Sequence, residues 1–279
     1  MKKNKISSCW KCKKHLGQNF LINKYVIREI VRFINPNHTQ VLVEIGPGLA
    51  ALTKSICQFI NELIVIEIDP ILLNILKKYE FYSKLVVFRQ DALTFNYFHL
   101  FRQKNQIIRI FGNLPYNIST SLIICFLKQI EIVQDMHFML QKEVAERLIA
   151  LPGSKRYGRL SIIAQYYCSI KILLNVDPDC FYPIPKVYSM FVRFVPHNKF
   201  PVFVYDINIL SNITNAAFQH RRKMLHHSLK QFFSKETLIQ LDISPTIRAE
   251  NVSVLQYCRL ANYIYFLKTN KNSICTSLK

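Results

Sequence analysis

The sequence predicts a doubly wound α/β sheet with helices on both faces, followed by a small all-helical domain. Three observations support this fold class. Between residues 41 and 141, short apolar runs rich in branched residues alternate with longer amphipathic segments, as in buried parallel strands joined by helices. The chain has only 6 glycines, and two of them, Gly46 and Gly48, directly follow the first apolar run. From about Asn208 onward the apolar spacing is helical, with no convincing strand.

Five apolar runs form the predicted sheet: VLVEI (41–45), LIVIEI (63–68), LVVF (85–88), IIRIFG (107–112) and MHFML (136–140). Segments 51–60 and 70–79 are predicted helices, and the second begins with Asp69-Pro70. An Asp N-cap followed by proline in the first helical position is a typical helix start. The segment VYSMFVRFV (187–195) predicts a late strand of the same sheet, and PHNKFPVF (196–203) predicts a linker.

We expect two domains with their boundary in that linker. The first covers residues 1–200, with a basic tail at 1–14, and the second covers 201–279. The length of 279 residues agrees with a prior of about 150 residues per domain. Half of the residues are hydrophobic and only 19% are charged, which excludes a disordered polyelectrolyte over most of the chain.

The chain is strongly basic. Lys and Arg number 37 against 17 Asp and Glu, a formal net charge of +20, which predicts a polyanionic partner. No apolar run approaches the roughly 20 residues that span a bilayer, and the basic start has no apolar segment typical of a secretory signal. We therefore expect a soluble, cytoplasmic protein that binds nucleic acid and no membrane.

Cysteine usage indicates reduced thiols. There are 8 cysteines and no secretory signal, so disulfides are not expected. Cys9 and Cys12 form a CxxC pair near His15, but one pair without a second is weak support for zinc. We expect no metal site, and the role of this pair stays open.

A glycine turn predicts a nucleotide-type ligand. Gly46-x-Gly48-x-x-Ala51 follows a predicted strand and begins a helix, which is the context that the GxGxxG/A pattern requires. Glu67, 21 residues beyond Gly46, ends the second strand, where a carboxylate can accept ribose hydroxyls. Asp91 ends the third strand, at the edge where ligands of open α/β sheets bind.

Three interpretations of this motif remain open. A dehydrogenase would use the glycines to seat a pyrophosphate at the helix N-terminus. A methyltransferase would use them to pass beside S-adenosylmethionine, whose sulfonium is positive. Glu44, just before the turn, brings negative charge that suits the cationic ligand better, so the methyltransferase is favoured. An α/β fold that binds no nucleotide is the third interpretation.

The segment Asn113-Leu114-Pro115-Tyr116 after the fourth strand favours methylation of an exocyclic amine. The lone pair of such an amine is delocalised into the ring, so acceptors must hold its two N–H bonds and aim the lone pair at the methyl group. The Asn113 side-chain oxygen and the Leu114 carbonyl, in an extended pre-proline residue, supply two acceptors. Tyr116 offers a flat face to a flipped base. No general base is needed, because the leaving group is a neutral thioether and the amine can attack first and lose its proton to water afterwards. Proximity and alignment would supply most of the acceleration.

These residues resemble the small-subunit rRNA adenine N6,N6-dimethyltransferases of bacteria (the KsgA type), from about Lys14 to Phe266. The matching segments are HLGQNFL (15–21), VEIGPGLAALT (43–53), VIEID (65–69), QDALTF (90–95), FGNLPYNIST (111–120), MHFMLQKEVAERL (136–148), YGRLS (157–161), FYPIPKVYS (181–189) and RAENVSVLQYCRLANY (248–263). The resemblance implies a Rossmann-like class I methyltransferase domain at 1–200 and a helical RNA- or ribosome-binding domain at 201–279. One departure is Tyr188, where the family often has Asp.

The resemblance also implies roles for individual residues. Asn19 and Leu21 would line the cofactor, Gly46 would contact its methionine moiety, Glu67 its ribose, and Asp91 with Ala92 its adenine. Asn113 and Leu114 would lie nearest the transferred methyl and the target amine. Phe181 would sandwich the target adenine against Tyr116, and stacking of this kind contributes ~1–3 kcal/mol per base. The implied reaction is two successive methylations on each of two adjacent adenosines near the 3′ end of small-subunit (16S) rRNA.

Basic residues cluster in three places that we expect to contact RNA: Lys2–Lys14, Lys155–Arg159, and Arg221–Lys223 within HRRKMLHH (220–227). The expected partner is small-subunit rRNA or its assembling subunit, bound by a monomer. Two other functions stay open. One is a ribosome-assembly factor that acts mainly by binding, and the other is a large-subunit rRNA adenine methyltransferase with the same chemical motifs.

Overall fold

The computed structural model describes residues 17–200 and 202–276, which form nine strands and eleven α-helices. The strands are β1 (Phe20–Leu21), β2 (Val41–Ile45), β3 (Leu63–Ile66), β4 (Leu85–Phe88), β5 (Ile108–Asn113), β6 (Val133–Gln141), β7 (Cys168–Val176), β8 (Phe181–Tyr182) and β9 (Ser189–Pro196). The helices are α1 (Lys24–Ile34), α2 (Ala51–Ile56), α3 (Pro70–Leu76), α4 (Tyr97–Lys104), α5 (Ser119–Leu127), α6 (Lys142–Leu148), α7 (Arg159–Tyr167), α8 (Ile207–Gln219), α9 (Leu225–Ser228), α10 (Lys235–Gln240) and α11 (Val254–Thr276).

Seven strands form one sheet in the order β4-β3-β2-β5-β6-β9-β7. The pairs β2–β3, β3–β4, β2–β5 and β5–β6 are parallel, and β9 runs antiparallel to β6. The chain moves outward from β2 through β3 to β4 and then returns to place β5 on the other side of β2. This reversal creates a switch point between β2 and β5, where ligands of open α/β sheets bind.

The predicted fold class is confirmed, and the five predicted strands and the late strand β9 all belong to this sheet. All four residues of β3 are at most 1% exposed. Since successive residues of a strand point to opposite faces, both faces of the sheet are covered there. The helix that begins at the Asp69 N-cap has the predicted cap, with Asp69 accepting a hydrogen bond from the Ile71 amide. Strand β7 was not predicted.

The chain divides into two compact units. The first contains the described residues up to Ala145 together with Lys171–Pro196, and the second contains Glu146–Ile170 together with the chain from His197 onward. The end of the second segment, at Pro196, lies in the predicted linker. The sequence, however, placed all residues up to 200 in one domain, whereas Glu146–Ile170 belongs to the second unit. The reason is packing, because Tyr157, just before α7, and Ile162, within α7, belong to the core of the helical unit.

The second unit has its own hydrophobic core. Its inner side chains come from the segment 150–166 and from α8 to α11, and Leu210, Ile213, Tyr257 and Leu260 are fully buried there. Among residues 17–200 and 202–276, no helix is long and apolar enough to cross a membrane.

Candidate active site

Eight of the ten residues to which the family resemblance gives a role line one cavity at the carboxyl edge of the sheet: Asn19, Leu21, Gly46, Glu67, Asp91, Asn113, Leu114 and Tyr116. The cavity lies at the switch point, because Gly46 follows β2, Glu67 follows β3 and Asn113 ends β5. The cavity has a volume of about 190 Å³ and is partly open to solvent.

The glycine turn leaves space where a ligand can approach the backbone. Gly46 has φ +64°, and a Cβ at this position would meet no atom within 4 Å. Gly48 has φ +57°, and a Cβ there would lie 2.9 Å from the Phe20 ring. Both positions therefore need glycine: positive φ is costly for other residues, and a side chain at Gly48 would displace Phe20 from the cavity wall.

Two buried carboxyl groups face this cavity. Glu44 is 2% exposed and Glu67 is 6% exposed. The pKa of Glu44 is raised to about 8, mainly by burial and in part by the charge of Glu67, while hydrogen bonds from Thr53 oppose the rise. Burial also raises the pKa of Glu67, although hydrogen bonds from the Asp69 and Gly48 backbone oppose that effect. The Asp69 amide donates to Glu67 Oε1 at 2.9 Å, which fixes the orientation of this carboxyl group.

These carboxyl groups fit a ligand that carries positive charge and hydroxyl groups. Glu44 Oε2 is buried and has no hydrogen-bond partner among the described residues, and leaving such an acceptor unpaired costs free energy. A cationic ligand would supply the missing partner, so the residues present fit S-adenosylmethionine. A pyrophosphate carries no positive charge to pair with these carboxyl groups, so they favour a cationic ligand over a dinucleotide. The described residues contain no group of three His, Cys, Asp or Glu side chains able to hold a metal.

The turn after β4 presents Asp91 to the cavity. Asp91 Oδ1 accepts the Leu93 amide at 2.9 Å, and the buried Tyr97 hydroxyl donates to the Ala92 carbonyl at 2.9 Å. The Ala92 side chain is 8% exposed and does not line the cavity. Tyr97 thus fixes the shape of the turn from beneath. Sequence analysis did not single out Tyr97, because its partner is a backbone atom.

The catalytic segment, Asn113–Tyr116, begins with the last residue of β5 and carries predicted catalytic residues. It is anchored at both ends. Asn113 Nδ2 donates to the Asn19 carbonyl at 2.6 Å. Leu114 lines the cavity although only 1% of the residue is exposed. The Tyr116 hydroxyl and Ser189 Oγ share a hydrogen bond of 2.7 Å, and burial raises the Tyr116 pKa. The ring of Tyr116 is therefore held in one orientation as part of the cavity wall.

The position of Phe181 contradicts the predicted stacking role. Phe181 is fully buried, lies opposite Leu21 in the β1–β8 pair, and packs in an apolar cluster with Val26 and Val176. It does not line the cavity, so no base can stack on it in this conformation. Its neighbour Tyr182 is 49% exposed, because consecutive residues of a strand point to opposite sides.

Two of the three predicted basic clusters form one surface of the second unit. Arg221 Nε pairs with Glu250 Oε2 at 2.8 Å, and its Nη2 donates to the carbonyls of Ser154 and Lys155. Arg221 thus ties the 154–155 loop to its own segment, while Lys155, Arg222 and Lys223 are exposed. The cluster Lys2–Lys14, with Cys9 and Cys12, lies outside the described residues.

Further exposed cations extend this surface. His227, Lys230 and Lys235 are exposed, and the rings of His226 and His227 lie 3.9 Å apart between centroids. The charges of His226, Lys235, Lys223 and Lys230 lower the pKa of His227. Sequence analysis did not single out Lys230 and Lys235, which follow the HRRKMLHH segment.

The comparison with protein families gives one match. Residues 10–265 match the model of a family described as ribosomal RNA adenine dimethylase. Two bacterial relatives, each called ribosomal RNA small subunit methyltransferase A, are similar over nearly their whole length. The protein of Buchnera aphidicola subsp. Acyrthosiphon pisum is 64% identical over 263 residues, covering 92% of this chain and 96% of the relative. That of Salmonella choleraesuis is 50% identical over 262 residues, covering 94% and 96%.

Two solved structures share the fold. A dimethyladenosine transferase from Plasmodium falciparum superposes with a TM-score of 0.75 at 24% identity, covering 91% of this chain and 98% of its own. The 23S rRNA methyltransferase ErmE superposes with a TM-score of 0.67 at 20% identity, covering 88% and 99%. At these identities the likeness supports the fold of both units and nothing finer.

Proposed function

The chain belongs to the ribosomal RNA adenine dimethylase family, and from this premise we propose how its own residues carry out the reaction. It is an S-adenosylmethionine-dependent rRNA adenine methyltransferase. Its target would be N6 of two adjacent adenosines near the 3′ end of small-subunit rRNA, each of which receives two methyl groups. The observation that carries the proposal is the convergence of Glu44, Glu67, Asp91 and Asn113 on one cavity.

The cofactor would lie along the carboxyl edge of the sheet. When bound, S-adenosylmethionine supplies an electrophilic methyl group on a sulfonium. Glu67, oriented by the Asp69 amide, would accept the ribose hydroxyls, and Asp91 would bind the adenine. Glu44 would face the cationic part of the ligand. Gly46 leaves room for the methionine moiety, with Asn19 and Leu21 covering it from the other side.

The target base would enter beside Asn113. Its side-chain oxygen and the Leu114 carbonyl would accept the two N–H bonds of the amine and direct the nitrogen lone pair toward the methyl group. Tyr116, held by Ser189, would stack on the ring. The chain needs no general base at this point, because the amine can attack first and release its proton to water afterwards. Alignment of this kind converts a bimolecular step into an effectively unimolecular one.

We place the RNA on the exposed cations of the second unit. Arg222, Lys223 and Lys155 are exposed, whereas Arg221 is engaged by Glu250. Neutralising phosphates with Lys and Arg releases counterions, so binding should weaken steeply with salt. We also propose that the protein is a monomer that acts in the cytoplasm on the assembling small subunit.

Methyl transfer to purified ribosomal subunits tests this function. Unmethylated small subunits and, separately, large subunits are incubated with the protein and isotopically labelled S-adenosylmethionine, and the rRNA is then digested to nucleosides for mass spectrometry. We expect labelled N6,N6-dimethyladenosine only from the small subunit. Label in the large subunit alone would identify the large-subunit alternative. Binding of small subunits without any label would identify an assembly factor that acts by binding, and Glu67→Ala provides a control that should retain subunit binding.

A further inference from the structure

The segment Gly17–Leu21 is built against the catalytic segment. It lines the cavity along its whole length, and it touches the catalytic segment at two points, one through the Asn19 backbone and one through Gly17. The Phe20 ring also packs against Gly48 in the glycine turn. One short piece of chain therefore contacts both the cofactor turn and the residues that face the target amine.

The first contact determines which way the Asn113 amide points. The Asn19 carbonyl can only accept a hydrogen bond, and it lies 2.6 Å from the terminal amide of Asn113. The atom that faces it must therefore be the nitrogen Nδ2, since an oxygen there would bring two acceptors together. Oδ1 then occupies the opposite end of the amide. With the amide reversed, Asn113 would present donors to an amine whose own N–H bonds are donors.

The second contact holds the segment against the turn that follows the catalytic residues. Gly17 has φ +62°, and a Cβ there would lie 2.8 Å from Asn117 Oδ1 and 3.6 Å from the Tyr116 amide nitrogen. The Asn19 side chain donates to the Gly17 carbonyl at 3.3 Å. This hydrogen bond holds the backbone between Gly17 and Asn19 in a compact turn. A side chain at position 17 would have to displace the Asn117 side chain or shift this backbone, and the positive φ is unfavourable for it as well.

We propose that the Gly17–Asn19 backbone is a positioning element that holds the Asn113 amide with Oδ1 toward the target amine. This inference rests on the proposed function, because it concerns the same reaction. The element does not touch the reacting atoms, and it acts through Asn113. The same short stretch of chain would cover the bound cofactor and orient Asn113, so binding of the cofactor and alignment of the target amine depend on one element.

The variant Asn113→Asp separates positioning from the supply of an acceptor. A carboxylate keeps an acceptor for the amine but places an oxygen against the Asn19 carbonyl, so the side chain should turn away. We expect kcat at pH 8 to fall about 100-fold or more, a loss comparable to removing one preorganised hydrogen-bond partner. As the pH falls toward 5, protonation of the carboxyl group restores a donor to Asn19. The ratio of variant to wild-type kcat should then rise at least tenfold.

Two outcomes would overturn the proposal: an Asn113→Asp variant as active as the wild type at pH 8, or a variant-to-wild-type ratio that stays constant with pH. Asn113→Ala is the matched control and should show no such rise. Cofactor affinity is measured for each variant, so that a cofactor defect is recognised. If the wild type itself transfers no methyl group, the proposed function fails, which is a different result.

Gly17→Ala tests the same element without altering Asn113. Its Cβ would collide with Asn117, so we expect a lower kcat, and the double variant Gly17→Ala/Asn117→Ala should recover part of the loss because the collision is relieved. Recovery will be incomplete, since positive φ stays unfavourable for alanine. A Gly17→Ala variant that folds normally, as judged by circular dichroism, and keeps wild-type kcat would contradict the proposal.

Discussion

Replacing Glu44 by glutamine should stabilise the free protein while weakening its affinity for the cofactor. Burial raises the pKa of Glu44 to about 8 from 4.5, so the unfolded chain ionises this group at a lower pH than the folded protein does. Below pH 4.5 Glu44 is protonated in both states, so its burial does not lower the free energy of unfolding. As pH rises toward 8, the unfolded chain ionises first and the free energy of unfolding falls. Glutamine is neutral at every pH and removes this loss.

The size of the effect follows from the two pKa values. Each pH unit between them costs about 1.4 kcal/mol, so the wild type should be less stable than Glu44→Gln by roughly 3 kcal/mol at pH 7. At pH 4.5 the two proteins should be nearly equal. Glu131 is exposed and offers a matched control, because Glu131→Gln should change the stability by less than about 0.5 kcal/mol.

Urea denaturation followed by circular dichroism at pH 4.5, 6 and 7 measures these differences. Calorimetry then gives the cofactor affinity, which should fall in Glu44→Gln because a neutral amide cannot pair with a cation. Binding to the wild type near pH 7 should also release a proton, detectable as a heat that depends on the buffer. The explanation fails if the stability difference between Glu44→Gln and the wild type is no larger at pH 7 than at pH 4.5, or if the variant binds the cofactor as tightly as the wild type.

Three further predictions concern other residues. Tyr97→Phe removes a hydrogen bond from the turn that carries the adenine site, and we expect cofactor affinity measured by calorimetry to fall by roughly threefold to tenfold, with kcat at saturating cofactor unchanged. Neutralising Arg222 and Lys223 should weaken RNA binding in a filter assay and flatten its salt dependence, whereas Arg221→Gln should mainly lower the melting temperature of the protein. Neighbouring positive charges lower the pKa of His227, and the phosphates of bound RNA should raise it again. Fluorescence anisotropy should therefore report tighter RNA binding as pH falls from 7.5 to 5.5, and His227→Gln should reduce that trend.

The sheet was predictable because its strands carry a local signal. Runs such as VLVEI and LVVF are apolar on both faces, and they begin and end where the structure places β2 (Val41–Ile45) and β4 (Leu85–Phe88). Strand β7 escaped prediction because it follows α7 with no turn residue between them, and several of its residues are only half-buried. The membership of Glu146–Ile170 in the helical unit depends on tertiary packing, which has no local pattern.

The site was largely predictable because strand order brings its residues together. Asn113 ends β5, Glu67 follows β3 and Asp91 lies in the turn after β4. The carboxyl ends of these parallel strands meet at one edge of the sheet. The predicted stacking role of Phe181 was wrong for a different reason. In the two-residue strand β8, one aromatic faces the core and the next faces outward, and the residue types alone do not decide which. The contact between Asn19 and Asn113, 94 residues apart in the chain, likewise emerges only from the folded structure.

The central claim is that Asn113 directs a base amine toward a methyl donor bound at this cavity. Single-turnover transfer of labelled methyl groups to small subunits by wild type and Asn113→Ala, with cofactor affinity measured on the same samples, tests it most directly. We predict that Asn113→Ala binds S-adenosylmethionine within about threefold of the wild type, whereas transfer slows by about 100-fold or more. Equal transfer rates for the two proteins, or a wild type without affinity for S-adenosylmethionine, would contradict the claim.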